Sequence, residues 1–401
     1  MILSYNNNWL GYGQYVLGTD IVPIPAYSVR FQFASPQTAE SLAGCGSRGT
    51  WTRLSDTVWD YTYENPLGYT SWYHEFDALV APGGARRSEV LPQCEIVGSN
   101  LTGVTSIESA FVGQTNITAV HLYELSLVAT NTFGGCTGMT SYRIDVCNAV
   151  IGGQRLGIPI DNNIVDFEIG TYNPAYITDQ MILPNCSSFR IKSMPNLTEF
   201  GSQSFASIGS SQQHASIYIG SAPLVTTLYQ AFMSTEHVES INIGSTGVLT
   251  GAAEAFYTSA IRQVPSNLDF SNCTNVRYMF AYAQNLTTIP DLDLTSAENA
   301  GYMCYNCTGL TKVPQFVFSE NIRTGSNINS LFSACPNLTD GAYLFYVRMT
   351  GDISHWRDVY GSTPWPEGPY PLEGYADVNH VFVSSYSTEP GWQYIPSKWK
   401  E

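Results

Sequence analysis

Residues 278–290 read YMFAYAQNLTTIP and residues 302–314 read YMCYNCTGLTKVP, so nearly the same phrase returns after 24 positions. With Phe280 and Cys304 as anchors, related segments can be aligned along much of the chain. The anchors are Phe111, Phe133, Phe232, Phe256, Phe280, Cys304 and Phe332, and the recognisable repeats are 22 to 28 residues long. This spacing is the period class of leucine-rich repeats. The repetition therefore predicts a solenoid in which each copy forms one turn.

Apolar residues recur at fixed offsets within each repeat. Six residues after the anchor come Ile117, Met139, Val238, Leu286, Leu310 and Leu338. Nine residues after it come Val120, Tyr142, Ile241, Ile289 and Val313, and in some repeats Leu122, Ile144 and Ile243 follow two residues later. Alternation with polar residues is typical of a strand with one buried face. Each repeat is therefore expected to contribute one strand to a parallel sheet, because only stacked turns can bury these residues.

The segments before the anchors predict the other side of each turn. Residues 250–256 and 295–303 carry Ala, Glu and Met near helical spacing, which favours short helical turns. The predicted fold class is an α/β repeat solenoid, a leucine-rich-repeat array with a parallel sheet on one side. Repeats between 145 and 225 are irregular, so the register there stays open. We expect GSSQQHAS, residues 209–216, to lie outside the stack.

The two ends differ from the repeats. SVRFQF at 28–33 and GTWTRL at 49–54 alternate as strands do and can pair with the first turn. Caps are required because the terminal turns of a solenoid would otherwise expose apolar edges. We predict an attachment arm over 1–25, a β-rich N-terminal capping domain over 26–100, the solenoid over 101–340 and a mixed C-terminal cap over 341–401.

Composition limits the partners. The formal net charge is −16 and only 12% of residues are charged, which argues against nucleic acid as a partner. Abundant Asn, Ser, Thr, Gly and Tyr are typical of an extracellular surface, yet the first 20 residues lack the pattern of a signal peptide. No membrane insertion is expected. A virion protein, assembled in a host cell and released by lysis, would reconcile these features.

Cysteine and asparagine positions have structural interpretations. The nine cysteines are an odd number, and Cys136, Cys186, Cys307 and Cys335 share a slot three residues after an anchor. That slot also accepts Ala, Ser and Thr, so we expect small, semi-buried, unpaired thiols there. The Cys304-x-x-Cys307 pair has no second pair at zinc-site spacing and is interpreted as structural. Eight Asn-x-Ser/Thr triplets, several at one turn of successive repeats, are interpreted as turn residues.

The string NVRYMFAYAQNLTTIPDLDLTSAENAGYMCYNCTGLTKVPQF, residues 275–316, resembles the BspA-like leucine-rich repeats. The likeness is close over 227–340 and recognisable from about residue 100. Residues 28–111 resemble the leader of repeat proteins encoded by gut bacteria and their phages, and 341–350 and 391–399 resemble the tail that closes such arrays. The resemblance implies a surface protein that binds or adheres. For phage members it implies a virion fibre, tail-tip or decoration component, and it transfers no functional residue.

Outward strand positions are the predicted binding residues. A neutral polar surface with occasional aromatic and cationic groups suits hydrogen bonding to sugars or to a protein loop. The candidates are His121, Arg143, Arg190, Tyr218, Asn242, Gln263 and Lys312. No nucleophile elbow, phosphate loop or metal-ligand spacing is recognised, so no catalytic residue, cofactor or metal is predicted.

Three functional classes stay open. The leading hypothesis is a non-enzymatic phage virion protein, a tail fibre or tip or a head fibre or decoration, that recognises a host-surface glycan or protein through its repeats. It would contact other virion proteins through its N-terminal region. The alternatives are a structural virion component without receptor binding, and a bacterial surface adhesin or a polysaccharide depolymerase on the same scaffold. A homo-oligomer is compatible with each.

Overall fold

A computed structural model describes residues 14–17 and 20–338, with gaps at 64–70, 73, 79–87, 127–128, 151–155, 159–161, 178–179, 313, 315, 319–321, 323–326 and 328–329. The chain divides into two compact units: unit 1 comprises residues 1–174 and 183–185, and unit 2 the remainder. The named strands are β1 (Gln14–Leu17), β2 (Asp20–Pro23), β3 (Ser28–Phe33), β4 (Gly49–Arg53), β5 (Val58–Tyr63), β6 (Cys94–Asn100), β7 (Ile117–Leu125), β8 (Ser141–Cys147), β9 (Asp166–Tyr172), β10 (Ile182–Leu183), β11 (Ser188–Ser193), β12 (Ser207–Ile208), β13 (Ala215–Ile219), β14 (Val238–Ile243), β15 (Leu292–Leu294) and β16 (Phe316–Phe318).

Unit 1 joins an antiparallel layer to a parallel stack. Its strands are hydrogen-bonded in the order β4-β5-β3-β6-β7-β8-β9. Strands β4, β5, β3 and β6 pair antiparallel, and β6 to β9 pair parallel in successive turns. The two strands predicted from SVRFQF and GTWTRL are present. Only the first of them, β3, lies beside β6, the first parallel strand, while β4 lies at the outer edge.

A buried ion pair ties the start of unit 1 together. The Arg30 guanidinium donates to both carboxylate oxygens of Asp60 at 2.6 and 2.7 Å. It also donates to the carbonyls of Val22 and Pro23, at the end of β2. Since Arg30 is fully buried, these bonds satisfy a charge that would otherwise be costly to bury. The end of the predicted arm is thus hydrogen-bonded to β3.

Unit 2 has parallel strands of its own, and they include part of the segment whose register the sequence left open. Strand β11 pairs with β13, and β13 with β14, both parallel. The irregular spacing is absorbed outside the strands, where Ser210 and Gln213 exchange two backbone hydrogen bonds in a tight loop. Residues 209–213 of GSSQQHAS precede the next strand as expected, whereas Ala215 and Ser216 belong to β13.

The predicted core positions are buried. The described apolar residues predicted at six, nine and eleven positions after the anchors are all buried, from Ile117 and Val120 in unit 1 to Leu310 and Leu338 in unit 2. Val313 lies outside the described residues. The architecture in the described turns of each unit is a parallel β-solenoid, and the repeat solenoid expected from the sequence is confirmed.

The predicted helical turns are wrong. No named element in the described residues is a helix. Each anchor instead lies in consecutive four-residue turns, in which alternate N–H groups donate within the turn and to the next repeat. Donations within the turn include Ala231 to Leu228, Met233 to Gln230, Ala255 to Ala252 and Tyr257 to Glu254. Donations to the next repeat include Leu228 to Gly251, Gln230 to Ala253, Phe232 to Ala255 and Ser234 to Tyr257, at 2.8 to 3.1 Å. We call this ladder the tandem turns.

Backbone φ explains why a helix cannot form. The residues two before and two after an anchor have positive φ, as at Gln230 and Ser234 (53° and 60°) or Tyr278 and Tyr282 (55° and 61°). An α-helix requires negative φ throughout, whereas the third residue of a type II turn takes positive φ. Helical spacing of Ala and Glu was therefore a misleading signal.

Phenylalanine anchors stack on one another and on two further phenylalanines, Phe76 and Phe205. In unit 2 the ring centroids of Phe205, Phe232, Phe256 and Phe280 are 5.2, 5.6 and 5.7 Å apart, with interplanar angles of 6° to 14°. In unit 1, Phe76, Phe111 and Phe133 stack in the same way. These centroid distances lie in the range of favourable offset stacking. The spacing of the repeats in the sequence therefore corresponds to one step along a column of stacked phenylalanine rings, which we call the phenylalanine column.

The predicted strand is missing from later repeats. In the described part of unit 2, the sheet that contains β13 ends at β14. The equivalent segments of the next repeats contain Pro265, Pro290 and Pro314, and proline has no N–H to donate to a neighbouring strand. Short parallel pairing resumes only beyond the prolines, between β15 and β16. Gln263 therefore lies outside the strands, contrary to prediction, and Lys312 forms only an isolated β-bridge rather than part of a named strand.

Several predictions concern residues that lie outside the described part of the chain. The C-terminal cap at 341–401 and residues 1–13 of the predicted arm lie there. The other proposed domain boundaries stay predictions. Within the described part of the chain, no helix has the length and apolar character needed to cross a membrane.

Candidate functional site

The candidate residues of unit 1 contact neighbouring carboxylates. His121 on β7 and Arg143 on β8 are paired in register. The His121 ring nitrogen Nε2 lies 2.9 Å from Asp145 Oδ1, and Arg143 Nε lies 3.1 Å from the same oxygen and 3.5 Å from Glu168 Oε1. All four side chains are partly exposed. The cluster is an internal charge network, so little of its positive charge is directed at a ligand.

The candidates of unit 2 form a row across three strands. Arg190 on β11 is in register with Tyr218 on β13, and Tyr218 with Asn242 on β14. All three are exposed, Tyr218 to 41%. Directly opposed side chains on neighbouring strands lie about 5 Å apart. The structure thus brings together a cation, an aromatic ring and an amide, and we call Arg190, Tyr218 and Asn242 the strand row.

A polar groove of about 390 Å³ lies where the sheet ends. Its lining includes Asn242 of the strand row, Gln263, Ser240 and Asn267. Its volume is within the range of small-molecule sites. Gln263 thus contributes to the groove although it is not a strand residue. Lys312 is exposed but is not among the residues that line this groove.

An ion pair borders the groove. Arg262 donates from Nε and Nη2 to the two carboxylate oxygens of Glu239 at 3.0 and 2.7 Å. His214 Nδ1 lies 3.4 Å from Glu239 Oε1. Hydrogen bonding from Arg262 lowers the pKa of the Glu239 carboxyl below its ordinary value, so this group is ionised at neutral pH. The pair connects β14 to the first repeat that lacks a strand.

The most buried carboxylate of unit 1 is saturated with donors. Glu75 is fully buried and accepts the N–H groups of Ser47 and Arg48, Arg48 Nε and the Tyr61 hydroxyl. Burial and then the Glu75 charge raise the pKa of Tyr61 well above its ordinary value. A carboxylate whose oxygens are already occupied has little capacity left for a substrate. The cluster therefore reads as a structural element of the antiparallel layer.

The cysteines are buried thiols. All nine are free and buried, so the expected burial of the slot cysteines is confirmed. Cys136, Cys307 and Cys335 each lie within 3.2 Å of the carbonyl oxygen of an earlier anchor, respectively Phe111, Phe280 and Cys304. Burial raises the pKa of Cys304 and Cys307 well above the ordinary value, which disfavours the reactive thiolate. Among the described residues, no group of His, Cys, Asp and Glu side chains has the arrangement of a metal site.

Sequence reasoning missed a surface on the tandem turns. Five half-buried tyrosines and one exposed arginine from three successive repeats lie side by side; we call them the tyrosine patch. Its members are Tyr257, Arg277, Tyr278, Tyr282, Tyr302 and Tyr305. Ring centroids of neighbouring members are 4.9 to 6.0 Å apart. The signal was in the quoted phrase, since YMFAY and YMCY place Tyr278 and Tyr302 24 positions apart, which is one turn of the solenoid.

Comparisons with known proteins return nothing. No protein-family model matches the chain, and no curated protein or solved structure matches it. The fold and surfaces described above define the class as a parallel β-solenoid with polar and aromatic exposed rows. The BspA-like resemblance stays a prediction.

Proposed function

We propose that this chain is a non-enzymatic recognition protein that binds a glycan or protein on a bacterial surface through its repeats. The observation that supports it best is the strand row, in which Arg190, Tyr218 and Asn242 follow one another beside the polar groove. Neighbouring hydrogen-bonding groups of this kind suit a polar ligand that extends along the stack. The repeat pattern adds a reason, because a solenoid offers an extended surface of regularly spaced side chains.

A phage virion, as a tail or head fibre or decoration, is the proposed location. Its support is the resemblance of the repeats and flanks to repeat proteins of gut bacteria and their phages. A structural virion component without receptor binding is the second candidate. It is favoured by the extent to which charged groups, such as Arg143 and Asp145, are already satisfied internally.

The test is binding of the purified chain to intact gut-bacterial cells and to an array of their surface polysaccharides, with released oligosaccharide measured in the same wells. We expect saturable binding without release. Replacing both Arg190 and Tyr218 with Ala should reduce affinity roughly tenfold or more, since losing a charged hydrogen bond alone is worth about 1.5–3 kcal/mol.

Tyr229→Ala is the matched control, because Tyr229 is 52% exposed but lies outside the strand row. It should bind like the wild type. No binding to any cell or polysaccharide would favour the structural candidate. Released oligosaccharide would make the protein an enzyme.

A further inference from the structure

The tyrosine patch is a second exposed surface, separate in composition from the strand row. Tyr278 and Tyr302 stack at 4.9 Å with an interplanar angle of 17°. Tyr282 contacts Tyr257 and Tyr305 edge-on, at 5.4 Å from each. Each ring is half-buried, so part of it packs on a neighbour while the rest meets solvent. Five rings in three turns form one continuous aromatic surface.

The backbone gives no reason for tyrosine at these positions. Tyr278 and Tyr302 occupy the positive-φ position two residues before the anchor, which disfavours bulky residues and favours Gly or Asn. Preceding repeats place Gln230 and Glu254 there, and these two side chains hydrogen-bond at 2.8 Å. Polar side chains therefore satisfy the fold at this position. The tyrosines add exposed aromatic surface rather than backbone stability.

Arg277 is held over this surface. Its guanidinium carbon lies 4.8 Å from the centroid of the Tyr278 ring and 5.9 Å from that of Tyr302. Its backbone is fixed by N–H donation to Asn275 Oδ1 at 3.1 Å. Among the described residues Arg277 has no carboxylate within ion-pair distance. An exposed arginine that stacks on tyrosine and is held in place by its backbone is a preorganised local site for an anion.

We propose that the tyrosine patch binds an acidic polysaccharide. The tyrosine rings would pack against the faces of successive sugars, their hydroxyl groups would hydrogen-bond to sugar hydroxyls, and Arg277 would pair with a sugar carboxylate. The inference rests on the proposed recognition function, and it names a ligand class and a binding surface for it.

The arrangement fits a glycan better than a nucleic acid. Bases also stack on aromatic rings, but single-strand binders combine the rings with a positively charged groove along the phosphates. The patch contains one cation; its neighbours Thr258, Gln284 and Asn306 are neutral, and the acidic Glu254, whose N–H donates to the Arg277 carbonyl, is hydrogen-bonded by Gln230. One guanidinium among many hydroxyl and amide groups matches a sugar that carries one carboxylate and several hydroxyls.

The test uses the full chain and two polymers: sodium alginate, which carries one carboxylate per sugar, and dextran, which carries none. Affinity electrophoresis and titration calorimetry should show that the wild type binds alginate more tightly than dextran. Arg277→Gln should lower alginate affinity roughly tenfold or more. Arg277→Lys, which keeps the charge but lacks the planar stacking group, should fall between Gln and the wild type.

Tyr278→Ala with Tyr302→Ala should weaken binding to both polymers, and Tyr229→Ala should change neither. Circular dichroism and the unfolding midpoint identify any variant that fails to fold; because Arg277 is exposed, its variants test the proposal even if the tyrosine variant unfolds. Equal affinity of the wild type and Arg277→Gln for alginate would overturn the proposal, as would tighter binding of a single-stranded oligonucleotide.

The same variants separate the two proposals. If the patch variants bind bacterial cells like the wild type while the strand-row variants do not, recognition stands and the patch proposal fails. If neither set alters cell binding and no polysaccharide is bound, both fail.

Discussion

The strand side and the tandem-turn side of unit 2 belong to the same repeats, yet only the tandem-turn side is continuous. On the strand side, parallel pairing runs from β11 to β14, stops before Pro265 and resumes only between β15 and β16. On the tandem-turn side, hydrogen bonds from one repeat to the next continue past Phe256 to the Phe332 repeat. Proline accounts for the difference, because it removes a donor from one side of the turn and leaves the other intact.

This comparison shows which side of the repeat, the strand or the tandem turns, is associated with the regular repeat length. Regular 24-residue spacing persists from Phe232 to Cys304, across repeats with and without a strand. Each of these repeats also keeps its anchor, the positive-φ residues two positions before and after the anchor, and the backbone hydrogen bonds to the next repeat. The tandem turns with their phenylalanine column are therefore the constant part of the repeat, and the strand is the variable part.

The largest expected loss of stability comes from disrupting the phenylalanine column. Phe256→Ala removes a fully buried ring stacked between Phe232 and Phe280, and it should lower the free energy of unfolding by about 3–5 kcal/mol. Ile241→Ala, on the strand side of the same unit, should cost less, toward the lower end of about 2–5 kcal/mol.

Urea unfolding of both variants measures the comparison, with Phe256→Leu as a control that keeps most of the side-chain volume and should lose less. A larger cost for Ile241→Ala would show that the strand side, not the column, is the stronger part of the repeat.

An intermediate effect, this time an increase in stability, is expected when a residue with positive φ is replaced by glycine. Thr258 has φ of 54°, a conformation that costs a β-branched residue about 1–2 kcal/mol. Thr258→Gly should therefore stabilise the protein by roughly 0.5–1 kcal/mol, since the relief of strain exceeds the added chain entropy of the unfolded state.

Thr287→Gly is the matched control. Thr287 is exposed whereas Thr258 is half-buried, and Thr287 is not among the positive-φ residues. Glycine there should destabilise by about 0.5–1 kcal/mol. If both changes destabilise equally in thermal unfolding, the tandem-turn geometry is incorrect.

The smallest effect on stability is expected at the ion pair between Glu239 and Arg262, where a repeat with a strand meets a repeat without one. The Arg262 guanidinium lowers the pKa of Glu239 below its ordinary value of 4.5. A depressed carboxyl pKa stabilises the fold above that ordinary value, and the contribution is lost as pH falls through the lower pKa of the folded state. Glu239→Gln should thus have a slightly lower urea midpoint than the wild type at pH 7.

Below the folded-state pKa the two proteins should converge, because the wild-type carboxyl is then also neutral. Arg262 is exposed and Glu239 is partly exposed, so solvent screens the pair and the difference at pH 7 should be close to the measurement error. A gap that widens on acidification would contradict the assigned role of Arg262.

Some predictions were confirmed because they depend only on the repeat length and on the residue types at fixed offsets within the repeat. Residues such as Ile117, Leu286 and Leu310 recur at one offset, and any stacked arrangement of equal turns buries them. The slot cysteines were predictable for the same reason, since a position shared by Cys, Ala, Ser and Thr must be small. The helical turns failed because Ala and Glu near Phe256 have high helix propensity, while no residue type there signals the positive φ of Glu254.

The sequence by itself determined the length of the turn, the residues that face the interior and the polar character of the outward strand positions, because stacking equal turns requires all three. Only the tertiary structure decided that tandem turns replace helices, that the sheet ends at β14 and that Tyr257, Tyr278 and Tyr302 meet beside Arg277. Those outcomes depend on hydrogen bonds between residues about one repeat apart, and local propensity carries no information about such partners.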